Sequence, residues 1–215
     1  MSNMKNKSYV ISSLGRCGST LLTEAIHKEV WGYSCPKEHV SDTHEFIVSQ
    51  ENVPSNFAGG KVYKTHIRPV DFPSSCKVIF TFGDPVNIIV SLMQKSNENY
   101  QWGWQHFQNL GAAEEWENRE DIIEKDILKL ENMFDEYYKE QNFDLMCLKY
   151  EDFWEPRIEE DISDFLGFKF KMPERKNRHA HQLKEFLVDD SLEILEKTYS
   201  SLSRKVNSAQ SISFW

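Results

Sequence analysis

The N-terminal segment constrains the fold more than any other part of the chain. Ser8–Leu14 is a short β-branched and apolar run that stops at Gly15, and from Thr20 onward Leu21, Leu22, Ala25, Ile26 and Val30 recur at helical spacing. The pattern is strand, glycine loop, helix. In such a setting Gly15-Arg16-Cys17-Gly18-Ser19-Thr20 lets backbone N–H groups and the helix start converge on an anion, with Arg16 and the hydroxyls as further donors. The plainer reading of an isolated GxxGST is a tight turn with an ordinary helix cap. A Walker A loop needs a longer glycine interval and a lysine before the hydroxyl residue. A tyrosine-phosphatase loop needs an arginine six positions after its cysteine, where Thr23 stands. Cys17 therefore reads as a small loop residue, and its place before a helix N-terminus predicts a lowered pKa.

Further along, the stretch from Trp31 to Gly60 is polar and interrupted by Pro36, Pro54 and Gly59-Gly60, with one short helix expected around Thr43–Ser49. Lys61–His66 reads as a second strand and Cys76–Phe82 as a third, followed by the turn Gly83-Asp84-Pro85 and a helix through Ile88, Ile89, Leu92 and Met93. Asp84 suits a helix cap. Ile123, Ile127, Leu130, Met133, Phe134 and Tyr137 predict one long amphipathic helix over Glu120–Glu140. Asp144–Tyr150 reads as a strand, Arg157–Leu166 as a helix closed by Gly167, and Ser191–Leu202 as the last long helix. Alternating strands and helices imply an α/β fold with a mostly parallel central sheet, helices on both faces, and ligands at the carboxyl ends of the strands.

With 215 residues and 40% hydrophobic content, one domain is expected over residues 8–215, behind a disordered N-terminus at 1–7. A net charge of −9 argues against a broad grip on nucleic acid. Cys17, Cys35, Cys76 and Cys147 form no CxxC pair and no metal-ligand spacing, which fits a reducing compartment and no metal site. The apolar run Tyr9–Leu14 is too short for a signal-peptide core or a membrane span, so a cytoplasmic protein without membrane contact is expected.

Lys64-Thr65-His66, the strand Cys76–Phe82, Gly83-Asp84-Pro85 with Ser91 beyond it, and Tyr150-Glu151-Asp152 follow the glycine loop in an order that resembles the P-loop sulfotransferases using 3′-phosphoadenosine 5′-phosphosulfate (PAPS). The resemblance runs from about Ser8 to Leu202 and is strongest at SLGRCGSTLL and KTH. It implies a three-layer P-loop fold and a sulfonate transfer from PAPS to a hydroxyl or amine of a small acceptor, without a metal. It places the 5′-phosphosulfate loop on Gly15, Arg16, Cys17, Gly18, Ser19 and Thr20. It gives His66 the role of general base, Lys64 and Arg16 contacts to the reacting group, Ser91 the 3′-phosphate and Tyr150 the adenine.

One position departs from the family pattern. Gly83 stands where members carry an arginine for the 3′-phosphate, and a charge-assisted hydrogen bond of roughly 1.5–3 kcal/mol is lost with it. Either Arg175 or Arg178 supplies the charge, or the donor differs. The competing function is a non-catalytic or differently specific, kinase-like nucleotide-binding protein. Sulfonate transfer resembles phosphoryl transfer, in which positioning and electrostatics dominate. Histidine suits the base role because its ordinary pKa of about 6.5 leaves it largely neutral near pH 7, and Lys64 beside it pushes that value lower. Thr65 is expected to face away from its neighbours. Tyr100, Trp102, Trp104 and Phe107 read equally as an acceptor pocket or as core. His27, His39, His44, His106, His179 and His181 have no comparable setting.

Overall fold

The computed structural model describes residues 6–33, 44–48, 53–54, 56–70, 72–175, 187 and 189–215. Six strands form one sheet: β1 (Ser8–Ser13), β2 (His44–Val48), β3 (Val62–Thr65), β4 (Cys76–Phe82), β5 (Asp144–Lys149) and β6 (Ile212–Phe214), in the order β2-β3-β1-β4-β5-β6. Every pairing is parallel except that of β6 with β5. The chain runs from β1 outward to β2 and β3 on one side and later to β4 and β5 on the other. The carboxyl end of β1 is therefore the topological switch point, where open α/β sheets bind ligands.

Strand alternation divides the core. Val10, Val78, Phe80, Leu145 and Cys147 face one cluster, and Tyr9, Ile11, Ile79, Met146 and Leu148 face the other. The second face is covered by α1 (Ser19–Trp31), through Leu22, Ile26 and Val30, and by α5 (Ile158–Leu166), through Ile158, Ile162 and Leu166. The first is covered by α2 (Pro85–Glu98), α4 (Leu130–Tyr137), α6 (Asp189–Thr198) and α7 (Ser200–Ser208). This is the expected α/β arrangement with helices on both faces. Asp84 caps α2 as its turn sequence suggests, Oδ1 accepting from the backbone N–H of Val86 at 2.8 Å and of Asn87 at 3.4 Å. Among the described residues, no helix is long and apolar enough to cross a membrane.

Four local expectations are corrected. His44–Val48 is strand β2, not a helix, in keeping with its β-branched and aromatic residues. The long helix over Glu120–Glu140 is instead a 3-10 segment, Ala113–Ile123, followed by α4. The break comes from Asp126, whose carboxylate accepts from the backbone N–H groups of Leu130 and Glu131, while Lys129 takes a left-handed φ of 54°. The last helix is divided at Tyr199 into α6 and α7, and the Tyr199 hydroxyl donates to the Ile122 carbonyl at 3.1 Å. Lys7, placed in a disordered leader by its polarity, is held by the fold, its carbonyl accepting from Gly60 N at 2.8 Å.

The segment after β3 is held from below. The Tyr137 ring stacks on Phe80 at 4.2 Å, and its hydroxyl donates to the Ile67 carbonyl at 3.0 Å, beside a second bond from Ser12 Oγ at 3.2 Å. Tyr137→Phe removes one of two donors to that carbonyl and should cost about 1 kcal/mol. Tyr137→Ala also removes a buried ring and should cost about 3–5 kcal/mol. Urea unfolding of the two variants measures the difference.

Candidate functional site

The glycine loop leaves β1 through three left-handed residues, Gly15 (φ 90°), Arg16 (φ 54°) and Gly18 (φ 78°), and α1 begins directly after it. Such turns aim successive N–H groups into one concavity. Gly18 occupies the cap position of α1 and has no side chain to accept from the helix's first N–H groups, which therefore remain available. Two close approaches demand glycine. A Cβ at Gly15 would lie 2.9 Å from His106 Nε2, and one at Gly18 would lie 2.8 Å from the Tyr150 ring.

The end of β3 supplies the chemistry. Lys64 and His66 are both buried and both line the cleft beside Arg16, Ser19 and Thr20, while Thr65 turns away and its Oγ1 accepts from Ile67 N at 2.9 Å. His66 Nδ1 lies 3.0 Å from the Ser13 carbonyl oxygen. A carbonyl only accepts, so Nδ1 carries the proton and Nε2 presents a lone pair. Lys64 Nζ stands 3.5 Å from that Nε2. Burial, then Lys64, lowers the pKa of His66 to about 3, and burial, then Arg16, lowers that of Lys64 to about 8. The imidazole is neutral near pH 7 and the ammonium retains most of its charge.

The opposite wall is α3 (Tyr100–Asn109), capped by Asn99, whose side-chain oxygen accepts from Trp102 N at 3.0 Å. It contributes Trp102, Gln105, His106 and Asn109 to the cleft. Sequence reasoning offered Trp102 as a pocket residue or as core, and missed Gln105, His106 and Asn109. The available signal was their recurrence three and four residues apart beyond a capping asparagine. His106 packs edge-on to His66 at 4.8 Å and stacks on Trp102 at 4.8 Å, and burial, then His66, holds it well below the ordinary histidine range. The aromatic cluster is thus divided: Trp102 lines the cleft, Phe107 is core, and Tyr100 and Trp104 reach the surface.

Arg16 spans the loop and the α2 side, with Nε donating to Ser91 Oγ at 2.9 Å and the guanidinium 5.4 Å from the Trp102 ring centre. Ser91 therefore meets the site through Arg16 and is not itself on the cleft wall. Tyr150 and Trp154 close the remaining side, and Arg175 lies over Trp154 at 5.3 Å. Arg178 is outside the described residues. The cleft encloses about 160 Å³, below the roughly 300–1,000 Å³ of pockets that bury a drug-sized ligand, and so suits a small polar group more than a whole ligand of that size.

One expectation changes here, and one gains a neighbour. Cys17 is buried in the core, and burial, followed by Glu151, raises its pKa well above the ordinary thiol value, the reverse of the lowering expected from a helix start. Its Sγ donates to the Gly15 carbonyl at 2.9 Å, making it a loop brace. Gly83 faces a carboxylate: a Cβ there would lie 2.9 Å from Glu151 Oε1, which accepts from Asp84 N at 2.9 Å. The sequence matches no protein-family model and no curated protein.

The two buried imidazoles make stability depend on acid. The unfolded chain binds protons at these histidines near the ordinary pKa of about 6.5, whereas folded His66 does so only near 3. Unfolding then takes up protons, and stability falls as pH drops through that interval, by up to about 1.4 kcal/mol per pH unit for each such histidine. Denaturant unfolding at stepped pH should show this loss, with a shallower slope in His66→Gln.

Proposed function

We propose that this protein is a sulfotransferase, moving a sulfonate group from PAPS to a hydroxyl or amine of a small acceptor with His66 as general base. The observation that carries the reading is the convergence of Arg16, Ser19, Lys64 and the lone-pair nitrogen of His66 on one cleft at the switch point of the sheet. Arg16, the loop N–H groups and the Ser19 hydroxyl stabilise the charge that collects on the leaving phosphate oxygen. Lys64 holds the sulfonate oxygens. His66 Nε2 accepts the acceptor's proton as its oxygen or nitrogen bonds to sulfur and the sulfur–oxygen bond to phosphate breaks. Trp102, Gln105 and Asn109 offer an aromatic face and two amides to the acceptor.

The residues fit the 5′ end of such a donor. They fit its 3′ end less well, because Glu151 puts a carboxylate against Gly83. That one contact favours the second reading, a protein that binds a nucleotide without a 3′-phosphate or binds without transferring. A magnesium-dependent kinase gains little from Asp84, whose side chain is engaged as the α2 cap.

Adenosine 3′,5′-bisphosphate should raise the melting temperature, and His66→Ala should lower transfer of labelled sulfonate by about 10²–10⁴-fold while leaving that thermal shift in place. No shift at millimolar nucleotide would overturn the proposal. A shift without transfer to any of a broad acceptor panel would establish the second reading.

A further inference from the structure

Ser13, the last residue of β1, is fully buried, and although it opens the SLGRCGSTLL motif, the resemblance drawn from the sequence gives it no role. Its hydroxyl has three neighbours. Gly15 N donates to it at 3.2 Å, His66 Nδ1 lies 3.0 Å away, and Ser19 Oγ lies 3.1 Å away. A hydroxyl has one proton and two lone pairs, so the direction of each bond can be worked out. The Gly15 amide only donates. His66 Nδ1 also bonds the Ser13 carbonyl at 3.0 Å, so it carries a proton and shares it between the carbonyl and hydroxyl oxygens of one residue. With N–H donors on both lone pairs, the Ser13 proton is left with Ser19 Oγ. Ser19 then receives a hydrogen bond from behind, and its own proton is turned toward the cleft it lines.

We propose that Ser13 is a positioning residue joining the anion-binding loop to His66 through one directed chain of hydrogen bonds, in which Ser13 gives its proton to Ser19 so that Ser19 gives its own to a phosphate-type anion. The chain needs no net proton transfer. An anion accepting from Ser19 makes its oxygen a better acceptor for Ser13, which in turn makes Ser13 a stronger acceptor for His66 Nδ1–H, since linked hydrogen bonds polarise one another. Occupancy of the loop is thereby felt at the imidazole, and the ring is held with Nε2 toward the cleft while the anion is bound. This rests on the anion-binding role given to the loop above, and not on the identity of the nucleotide or on sulfonate transfer.

The test uses inorganic pyrophosphate as the probe. In the wild-type protein, the His66 Nδ1–H resonance should move downfield as pyrophosphate saturates the loop, and in Ser13→Ala it should stay in place. Ser13→Ala should weaken pyrophosphate binding about 3- to 10-fold, the value of roughly one hydrogen bond. In a Ser19→Ala background the same change should cost about twofold or less. Equal costs in both backgrounds, or a wild-type resonance that does not move on saturation, would overturn the chain even if Ser13→Ala proved unstable. Wild-type protein that binds no pyrophosphate at millimolar concentration would overturn the anion-binding premise as well. Absent sulfonate transfer with the resonance shift intact would remove the proposed reaction and leave the chain standing.

Discussion

The bond from His66 Nδ1 to the carbonyl of Ser13 ties the carboxyl ends of β3 and β1 together, and the geometry of the cleft follows from it. Because the acceptor is a main-chain carbonyl at the point where β1 becomes the glycine loop, it fixes the tautomer of the imidazole. It also fixes the distance between the imidazole and the loop. Parallel pairing of β1 with β3 sets Lys64 opposite Ile11 and Thr65 opposite Ser12, so the residue following Thr65 emerges beside Ser13. Tyr137 and Ser12 brace the next residue through its carbonyl. The position of His66 is thus a property of the sheet.

Electrostatically, the cleft gathers like charges. Burial is the main cause, and the neighbouring charges of Arg16 and Lys64 add to it, which is why Lys64 is lowered to about 8 and both imidazoles are held neutral. A cluster of this kind costs stability in the folded protein and is relieved by an anion placed between its members. Glu151 has the opposite sign and faces Gly83, so the end of β4 presents a carboxylate where the cleft presents cations.

Much of this was legible in the sequence, for local reasons. The strand, loop and first helix are contiguous and need only the change of hydrophobic period and two glycines. Lys64 and His66 share a strand face by alternation, and Asp84-Pro85 announces the start of α2. What escaped reading depends on contacts between distant segments. His106 looked ordinary because nothing near it in sequence shows that α3 folds back over Gly15. The thiol of Cys17 was expected to be acidic from its place before a helix, but burial outweighed the helix start. Asp126 sat within an apolar pattern that suggested a continuous helix, and its preference for capping divided it. β6 is three residues long, too short for alternation to show, and is defined by its pairing with β5.

The most direct measurement is a crystal structure with adenosine 3′,5′-bisphosphate bound. The 5′-phosphate should lie against the N–H groups of Gly18–Thr20 and the Ser19 hydroxyl, with Lys64 turned from His66 toward the open side of that phosphate and Nε2 facing the same space. A nucleotide seated elsewhere, or a loop whose N–H groups are closed by protein side chains while His66 turns from the phosphate, would contradict the account.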